Sequence, residues 1–406
     1  MANKQYDVVI YGATGFTGRL VAEYLLKQYG SDNGLKWAIA GRSEGKLKSI
    51  RQLLGDENLP ILTADSHDAE SLKKMAAAAS VVCTTVGPYA KHGNLLVETC
   101  VNEGVDYCDL TGEVQWIRRM IDAHHEKAKS NGVKITHCCG FDSIPSEMGV
   151  YFLQKKAKEQ FGEFCQHIKL RVKAAKGGPS GGTIASLNNV LEEAKVDPSI
   201  FKLLENPYSL NPAGEQNGPD ENDISGIAFD KDFKSWIGPF IMAAINTRVV
   251  RRSHALNGYP YGKDFQYDEA TLCGAGISGK IKARVLSAAI GMMSNPNPNA
   301  LLKNVADRFL PDPGEGPSKK QRETGFYNLR LIGKLSNGET IKGKVTGDRD
   351  PGYGSTSKML GESAVCLAKD RQQLPNVSGV ITPSIAMGDF LLERLQENAG
   401  LTFEVL

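Results

Sequence analysis

The chain has 406 residues, of which 41% are hydrophobic and 23% charged, and a formal net charge of +2 at pH 7. This length is enough for two domains, and the near-neutral charge gives no indication of a nucleic-acid surface or an acidic partner. The eight cysteines form no CxxC pair and the seven histidines show no HxxxH or HExxH spacing, so neither a metal site nor a disulfide framework is expected.

The first predicted unit is a strand, a glycine turn and a helix. Tyr6–Tyr11 is β-rich and apolar, and Arg19–Leu26 has a helical pattern. A three-glycine turn between them indicates a dinucleotide site, because glycines allow a tight turn and a close approach of backbone to a pyrophosphate. The helix N-terminus adds free N–H groups and the positive end of its dipole. The predicted cofactor-binding residues of this turn are Gly12, Ala13, Thr14, Gly15, Phe16, Thr17 and Gly18.

The second strand, Trp37–Gly41, indicates which dinucleotide binds. An NAD site usually carries an acidic residue about 20 residues after the glycines. Here Arg42 and Ser43 follow the strand instead, with Lys46 one helical turn further on. A guanidinium can bind a 2′-phosphate through a two-pronged contact, whereas a carboxylate would repel it. NADP(H) is therefore the predicted cofactor. The alternative is that Arg42 only caps and solvates a surface loop.

Four more strands complete the first predicted domain. Leu59–Ala64 ends at Asp65, which is a predicted cofactor contact, and Ser80–Val86 has the apolar run of a central parallel strand. Asp106–Asp109 and Val133–Cys138 follow, each after a predicted helix. Six strands with intervening helices predict an α/β fold with a doubly wound parallel sheet, a Rossmann domain, over residues 1–145.

Ligands of such sheets bind outside the carboxyl ends of the strands. After the fourth strand, we expect Val86, Gly87 and Pro88 to contact the cofactor near its nicotinamide ribose. Tyr89 is a predicted proton donor, with packing of a half-buried phenol as the alternative. His92, three residues later, is a predicted substrate contact near the reacting carbon.

Polar residues also follow the fifth strand. Asp109 and Thr111 are catalytic candidates, and Glu113 is a candidate for substrate contact. Alternatively, these residues organise the loop, or Thr111 and Glu113 cap the helix that begins near Val114. The sequence leaves both interpretations open.

The loop after the sixth strand contains the last candidates. Phe141, Asp142 and Ser143 are predicted to lie beside the nicotinamide and to contact the substrate, at the gap between the domains. The alternative is that Ser143 or Asp142 only caps the next helix.

The second half is predicted to be an α+β domain for substrate binding or dimerisation, over residues 146–370. A helix near Glu147–Lys158 leads to the β-rich run Cys165–Ala175, and Asn337-Gly338 forms the turn of a later hairpin. Residues 371–406 are predicted to be a C-terminal segment whose helix returns to the Rossmann domain. The apolar strand surface of this half is sufficient for a homodimer.

One segment of this half has a membrane-like composition. Gly279–Met293 places cations beside a small apolar helix, which is typical of an interfacial segment. The alternative is that this helix packs in the core or at a dimer interface. The sequence therefore leaves peripheral membrane contact as one of two interpretations. The most apolar part of this segment, Val285–Met293, is far too short to span a bilayer. Met1–Lys4 lead straight into the first strand and leave no room for a signal peptide, so a cytoplasmic protein is expected.

Taken together, these motifs resemble those of the saccharopine dehydrogenase-like oxidoreductases. Within that family, the resemblance is to the branch that contains the mycobacterial trans-acting enoyl reductases and the animal saccharopine dehydrogenase-like proteins. The matching stretches span almost the whole chain and are Gly12–Gly18, Ala40–Ser43 with Lys46-Leu47, Val86–Tyr89 with Gly93, Tyr107–Glu113, Cys139–Pro145, Ser180–Thr183, Pro313–Ser318 and Thr382–Gly388.

The resemblance implies a Rossmann domain, a second α+β domain and a C-terminal helix that returns to the first. It also implies NADP(H)-linked reduction, which in the enoyl reductases acts on a C=C bond of a lipid or polyketide precursor. One alternative is saccharopine-type chemistry on an amino-acid C–N bond, which needs cations for several carboxylates. A second alternative is a non-catalytic NADP(H)-binding sensor or lipid-associated protein. The arginines of the second half that could bind carboxylates are Arg171, Arg248, Arg251 and Arg252.

Overall fold

The computed structural model describes residues 4–31, 34–177, 181–293 and 316–406. Ser180 and residues 313–315, which belong to two of the motifs above, lie outside these ranges. The described residues form two seven-stranded sheets with helices packed against them. None of their helices is long and apolar enough to cross a bilayer.

The first sheet is parallel throughout and is built mainly from the N-terminal third of the chain. Its strands, in spatial order, are β3 (Ile61–Thr63), β2 (Trp37–Gly41), β1 (Tyr6–Tyr11), β4 (Ala79–Thr84), β5 (Asp106–Cys108), β6 (Lys134–Thr136) and β13 (Gly379–Ile381). The strand order reverses between β1 and β4, so their carboxyl ends flank the crevice where doubly wound sheets bind ligands. The predicted fold class is confirmed. The sheet has one more strand than the six predicted, because β13 pairs with β6.

Helices cover both faces of this sheet. They are α1 (Phe16–Tyr29), α2 (Glu44–Leu54), α3 (Ala69–Ala78), α4 (Tyr89–His92), α5 (Asn94–Glu103) and α6 (Val114–Ser130). Strands β1, β2 and β4 are buried along nearly their whole length between the helical layers. This burial on both faces explains their continuous apolar sequences.

The second sheet is mixed. Its strands, in spatial order, are β14 (Leu401–Val405), β12 (Thr340–Gly347), β11 (Phe326–Lys334), β7 (His167–Lys176), β10 (Gln266–Gly274), β9 (Ser235–Gly238) and β8 (Ala228–Asp230). Only β7 and β10 pair in parallel, and β11 and β12 form the hairpin predicted around Asn337-Gly338. The helices of this half are α7 (Ile144–Phe161), α8 (Gly181–Val196), α9 (Ser199–Glu205), α10 (Ala243–Leu256), α11 (Gly276–Met293) and α12 (Lys319–Thr324).

The C-terminal residues connect the two sheets. A π-helical turn, Pro351–Ser355, leads into α13 (Thr356–Lys369), which packs against β1, β4 and α1. Helix α14 (Pro383–Glu397) packs on α13 and α7, and β14 then joins the second sheet. The domain boundaries at 145 and 370 stay predictions, although α13 falls within the predicted second domain and lies against the first sheet.

A single carboxylate, that of Glu362 on α13, holds α1 and α14 together. It is fully buried and accepts hydrogen bonds from the hydroxyl groups of Tyr24 (2.5 Å) and Tyr29 (2.6 Å) on α1. Nη1 of Arg394 on α14 lies 3.4 Å from its Oε2. A buried charge of this kind depends on its partners, since it has lost its hydration.

Replacing Glu362 by alanine should lower the free energy of unfolding by about 3–5 kcal/mol, because Arg394 and two tyrosine hydroxyls lose a buried partner. Urea denaturation measures the change. Glu393→Ala, at an exposed position of the same helix as Arg394, is the control and should stay within about 0.5 kcal/mol of the parent chain. Equal stability of the two variants would contradict the role given to Glu362.

Candidate active site

The glycine turn after β1 is closed by contacts that leave no space for side chains. Gly12 has a φ of +95°, and its N–H donates to the carbonyl oxygen of Ala40 on β2 at 2.9 Å. A Cβ on Gly18 would lie 2.2 Å from the carbonyl oxygen of Gly12, and a Cβ on Gly12 would lie 2.7 Å from Cγ2 of Val86. These glycines therefore let α1 and the loop after β4 pack directly against the turn.

The N-terminus of α1 is open to a ligand. Gly15 caps the helix without a side-chain hydrogen bond, and no acidic residue stands in the first turn. Thr14 and Gly15 are exposed, Phe16 and Thr17 are half-buried, and Ala13 is buried. The first N–H groups of α1 and its dipole thus fit an anionic group such as a pyrophosphate.

The second half of the chain also reaches this turn. The ring of Phe16 makes an edge-to-face contact with Tyr353, with the ring centroids 5.2 Å apart. The guanidinium of Arg322 lies 5.4 Å from the Phe16 ring centroid and donates to the carbonyl oxygen of Pro317 at 2.7 Å. Sequence reasoning missed Arg322, because no motif marks it and it lies about 300 residues from the turn in the chain.

The residues predicted to bind a 2′-phosphate lie at the start of α2. The hydroxyl of Ser43 caps this helix by accepting the N–H of Lys46 at 3.4 Å. The side chains of Arg42 and Lys46 are exposed, and within the described ranges neither forms an ion pair. The cap is therefore made by Ser43, which leaves both cations available to a ligand.

The loop after β3 lies beside Arg42. Burial and the nearby Asp65 raise the pKa of Tyr11 to about 12, while Arg42 acts in the opposite direction. The carboxylate of Asp65 accepts the N–H of His67 at 2.9 Å, and His67 Nε2 lies 3.3 Å from Nδ1 of His92. Burial and His67 lower the pKa of His92. The structure thus places His92 on the Arg42 side of the site, and its contact with substrate near the reacting carbon stays a prediction.

The loop after β4 carries three of the predicted cofactor contacts. The N–H of Val86 donates to Oγ1 of Thr84 at 3.2 Å, and its side chain faces the glycine turn as described above. Gly87 is exposed and Pro88 is half-buried. The loop therefore borders the crevice, and its contact with the cofactor stays a prediction.

Tyr89 is a packing residue. Only 3% of it is exposed, and its hydroxyl donates to the carbonyl oxygen of Thr84 at 3.2 Å. Its ring lies against Trp116, with the centroids 5.4 Å apart. Burial and Asp109 raise the pKa of Tyr89 well above its usual value. These contacts favour the alternative, a packed phenol, and the proton-donor role of Tyr89 stays a prediction.

Asp109 is fully buried, and four groups donate hydrogen bonds to its carboxylate. Oδ2 accepts from the hydroxyl of Tyr107 (2.8 Å) and from Nδ1 of His137 (2.7 Å). Oδ1 accepts from the N–H groups of Thr111 (3.1 Å) and Cys138 (3.2 Å). These contacts join the loops after β5 and β6. They favour the alternative in which Asp109 organises the loop, and its direct catalytic role stays a prediction.

Thr111 and Glu113 form further hydrogen bonds within the loop after β5 and from this loop to neighbouring helices. Oγ1 of Thr111 accepts the N–H of Glu113 at 3.1 Å, and both side chains are buried. The Glu113 carboxylate accepts the N–H groups of Tyr89 (2.8 Å) and Ala90 (2.9 Å) on α4, and the hydroxyl of Ser186 (2.9 Å) on α8. Burial raises the pKa of Glu113, and the two N–H groups act in the opposite direction. These contacts favour a role of both residues in organising the loop, and the catalytic role of Thr111 and the substrate contact of Glu113 stay predictions.

Glu113→Gln should lower the free energy of unfolding by about 1–3 kcal/mol, because the amide brings its own N–H groups towards the N–H groups of Tyr89 and Ala90. Ser186→Ala should cost about 1 kcal/mol, and the two changes should not add in the double variant, since they remove one shared hydrogen bond. Urea denaturation of the four proteins measures this coupling. Glu98→Gln, an exposed position on α5, is the control. Additive changes would contradict the bond between α8 and this loop.

Phe141 and Ser143 pack between the two halves. The ring of Phe141 contacts Tyr327 with a centroid distance of 5.0 Å, and its N–H donates to Oγ1 of Thr356 at 3.0 Å. Ser143 precedes α7, but its side chain makes no capping hydrogen bond. Its hydroxyl lies 3.3 Å from Oδ1 of Asn246 on α10 instead. The capping alternative for Ser143 is therefore not supported.

Asp142 differs from the other acidic candidates. It is half-buried, and within the described ranges no group hydrogen-bonds to its carboxylate. Oδ1 lies 3.7 Å from the point where a Cβ on Gly112 would stand, and Cγ2 of Ile245 on α10 lies 4.0 Å from the same point. Burial and the nearby Asp109 raise the pKa of Asp142 to about 7. Such a carboxyl group is substantially protonated at neutral pH and is able to donate a proton.

A buried polar network that the sequence did not reveal lies behind this loop. Nδ2 of Asn246 donates to Oγ of Ser146 and to Oε2 of Glu269, both at 3.0 Å, and the hydroxyl of Tyr267 donates to Oε1 of Glu269 at 2.6 Å. Burial raises the pKa of Glu269 to about 7. Because Asn246 also contacts Ser143, the network links β10 of the second sheet to the loop after β6.

The four arginines considered for substrate carboxylates are all buried and bound within the protein. Arg171 pairs with Asp230 at 2.8 Å, and Arg251 pairs with Asp220 at 2.6 Å. The remaining two arginines bind other groups of the chain: Arg248 donates to Asp223 and to the carbonyl oxygen of Leu204, and Arg252 donates to those of Leu210 and Val380. Their guanidinium groups therefore stabilise the fold.

Comparison with known proteins agrees with this geometry. The family model of the saccharopine dehydrogenase NADP binding domain matches residues 8–135. A Mycobacterium tuberculosis protein with the provisional name of a trans-acting enoyl reductase is 40% identical, over 99% of this chain and 97% of its own length. A trans-acting enoyl reductase of Mycobacterium ulcerans is 36% identical, over 98% of this chain and 97% of its own length. The chain belongs to the saccharopine dehydrogenase-like oxidoreductases.

A solved structure of this family shares the fold. Saccharopine dehydrogenase (L-Glu forming) from Saccharomyces cerevisiae superimposes with a TM-score of 0.51 at 12% identity, over 98% of this chain and 99% of that one. The resemblance inferred from the motifs and the predicted NADP(H) cofactor are confirmed. The chain is thus an NADP-dependent oxidoreductase of this family. Which residues contact the cofactor stays a prediction.

Proposed function

We propose that this oxidoreductase reduces an enoyl group of a lipid- or polyketide-like substrate. Its full-length relatives that carry the name of trans-acting enoyl reductases support the proposal. The choice over a saccharopine-type substrate rests on the arginines. A substrate with several carboxylates needs free cations, whereas the four arginines considered for that role, Arg171, Arg248, Arg251 and Arg252, are engaged within the protein.

The described residues fit the phosphates of NADPH. In this proposal, the N–H groups that open α1 bind the pyrophosphate, and Arg42 with Lys46 binds the 2′-phosphate. Arg322, beside Phe16, supplies a further cation from the second half of the chain. Asp65 lies on the Arg42 side of the site. The Val86–Pro88 loop packs against the glycine turn and borders the crevice at the carboxyl ends of the strands.

The chemistry also needs a proton. When bound, NADPH supplies a hydride to the β-carbon of the enoyl group, and the electron pair of the C=C bond then forms an enolate on the substrate. We assign Asp142 as the residue whose carboxyl proton passes to the α-carbon, because its carboxyl group lies beside Gly112 and accepts no hydrogen bond from the described residues. The resulting carboxylate recovers its proton from water before the next turnover.

A comparison of substrates tests the proposed reaction. We expect the protein to oxidise NADPH with an enoyl thioester and to give no turnover with an amino-acid imine that carries several carboxylates. Oxidation of NADPH is followed by absorbance. Turnover with the imine alone would favour saccharopine-type chemistry, and binding of NADPH without turnover of either substrate would favour the non-catalytic alternative.

Arg42→Glu should weaken NADPH binding about 10–100-fold and change NADH binding little, because only NADPH carries the 2′-phosphate that a charge-assisted contact would hold. Dissociation constants from nucleotide fluorescence measure both effects. Lys27→Glu, an equal charge change at the exposed far end of α1, is the control and should leave both constants near those of the parent chain. An equal loss for the two nucleotides would contradict the assignment of Arg42.

Asp142→Asn should reduce kcat by about 10²–10⁴-fold and leave the dissociation constant of NADPH unchanged. Since the pKa of Asp142 is raised to about 7, its acid form is present below this pH, and the kcat of the parent chain should fall as the pH rises through 7. The variant should lack this fall. Asp264→Asn, in an exposed loop, is the control. A variant with the parent rate and pH profile would remove Asp142 from the mechanism.

A further inference from the structure

Helix α11 carries apolar side chains on its outer face as well as on its inner face. Its inner face packs on β9, where the position of a Cβ on Gly238 is 3.3 Å from the carbonyl oxygen of Ala283 and from Cδ2 of Leu286. On the outer face, four large apolar side chains are exposed: Ile277 (81%), Ile281 (54%), Val285 (64%) and Met292 (51%). We call these four residues the outer stripe.

The spacing of the outer stripe places it along one line of the helix. With 3.6 residues per turn, its four members fall within an arc of about 80°, opposite the inner face. Phe229 on β8 is 46% exposed, and its ring contacts Trp236 on β9 with a centroid distance of 5.7 Å. Because Trp236 shares a face of its strand with Gly238, this aromatic pair lies beside α11 and extends the apolar surface.

Cations border the outer stripe on both sides. Arg284 and Lys280 follow it on one side and Lys282 on the other, and Lys280 Nζ lies 4.8 Å from the ring centroid of Trp236. The helix contains no aspartate or glutamate between Gly276 and Met293. An apolar stripe on a helix whose only charges are positive is complementary to a surface that offers hydrocarbon chains and negatively charged headgroups.

We propose that the outer stripe of α11 docks this oxidoreductase onto the surface of a membrane that contains anionic lipids. The apolar side chains enter the headgroup region, the lysines and the arginine contact lipid phosphates, and the helix lies in the plane of the surface without spanning it. A second copy of the chain is a poorer occupant, since packing two α11 helices together would bring like charges into contact with no acidic residue on either helix.

Cosedimentation with vesicles tests the proposal on the full-length protein. We expect binding to vesicles of phosphatidylcholine mixed with phosphatidylserine, weaker binding to phosphatidylcholine alone, and loss of the difference at high salt. Ile281→Glu should weaken binding by more than about tenfold, because it places a charge in the apolar stripe. Lys282→Glu with Arg284→Glu should weaken binding to the anionic vesicles by at least about tenfold and abolish the preference for them.

The control is Val196→Glu, which places the same charge at a valine that is 88% exposed and lies outside α11. It should bind vesicles as the parent chain does. NADPH affinity and thermal unfolding of every variant verify that the substituted proteins are folded. Absence of vesicle binding by the parent chain overturns the proposal, as does equal binding by Ile281→Glu. A dimer in light scattering that Ile281→Glu dissociates, together with absence of vesicle binding, would assign the stripe to a contact between copies instead.

Discussion

The order of the whole site depends on the buried carboxylate of Asp109. It holds the loop after β5 against the loop after β6 by accepting hydrogen bonds from both, among them one from His137 at 2.7 Å. The loop fixed in this way presents Glu113, whose own carboxylate binds the first N–H groups of α4 and the hydroxyl of Ser186 on α8. Helix α4 follows the Val86–Pro88 loop, and Val86 packs where the glycine turn leaves no space for a Cβ. The position of the glycine turn is thus connected to the second half of the chain through packing at Val86 and the hydrogen bonds of Glu113.

Two carboxyl groups in the same region have opposite properties because their surroundings differ. Asp109 is saturated with donors, so its charge is used to position backbone and side chains. Asp142, a few residues after β6, receives no hydrogen bond from the described residues, and the nearby charge of Asp109 helps to raise its pKa to about 7. The first carboxylate therefore helps to keep the second protonated near neutral pH, where it can act as a general acid. Glu269, behind Asn246, shows that a carboxyl of similar pKa is also compatible with a purely internal network.

The sequence predicted the parts of the fold that depend on local pattern. The glycine pattern is sufficient for the first unit, because Gly12 and Gly18 are required by contacts within that unit and with the loop after β4. Strand β13 was missed, since a three-residue strand near the C-terminus has no local signal for pairing with β6. The hydrogen-bond partners of Tyr89 and Asp109 could not be predicted for a related reason. A polar residue at a strand end predicts proximity to the site, but whether its hydrogen-bonding atoms face a ligand or a neighbouring loop depends on partners that are distant in the chain. Asp142 and Asp109 looked alike in sequence, and only their donors separate them.

The distribution of charge in the second half bears on how a substrate would be recognised. Its buried arginines neutralise aspartates or bind carbonyl oxygens, as Arg251 does with Asp220 and with the carbonyl oxygen of Tyr267. Arginines engaged in this way have few donors free for a substrate, so they would contribute little to discrimination by hydrogen bonding. Shape and apolar contact then carry most of the selectivity, and these are worth only about 10–200-fold per methylene group. Such an enzyme would gain selectivity from docking at the surface where its substrate is present, because fewer competing molecules would then reach the site.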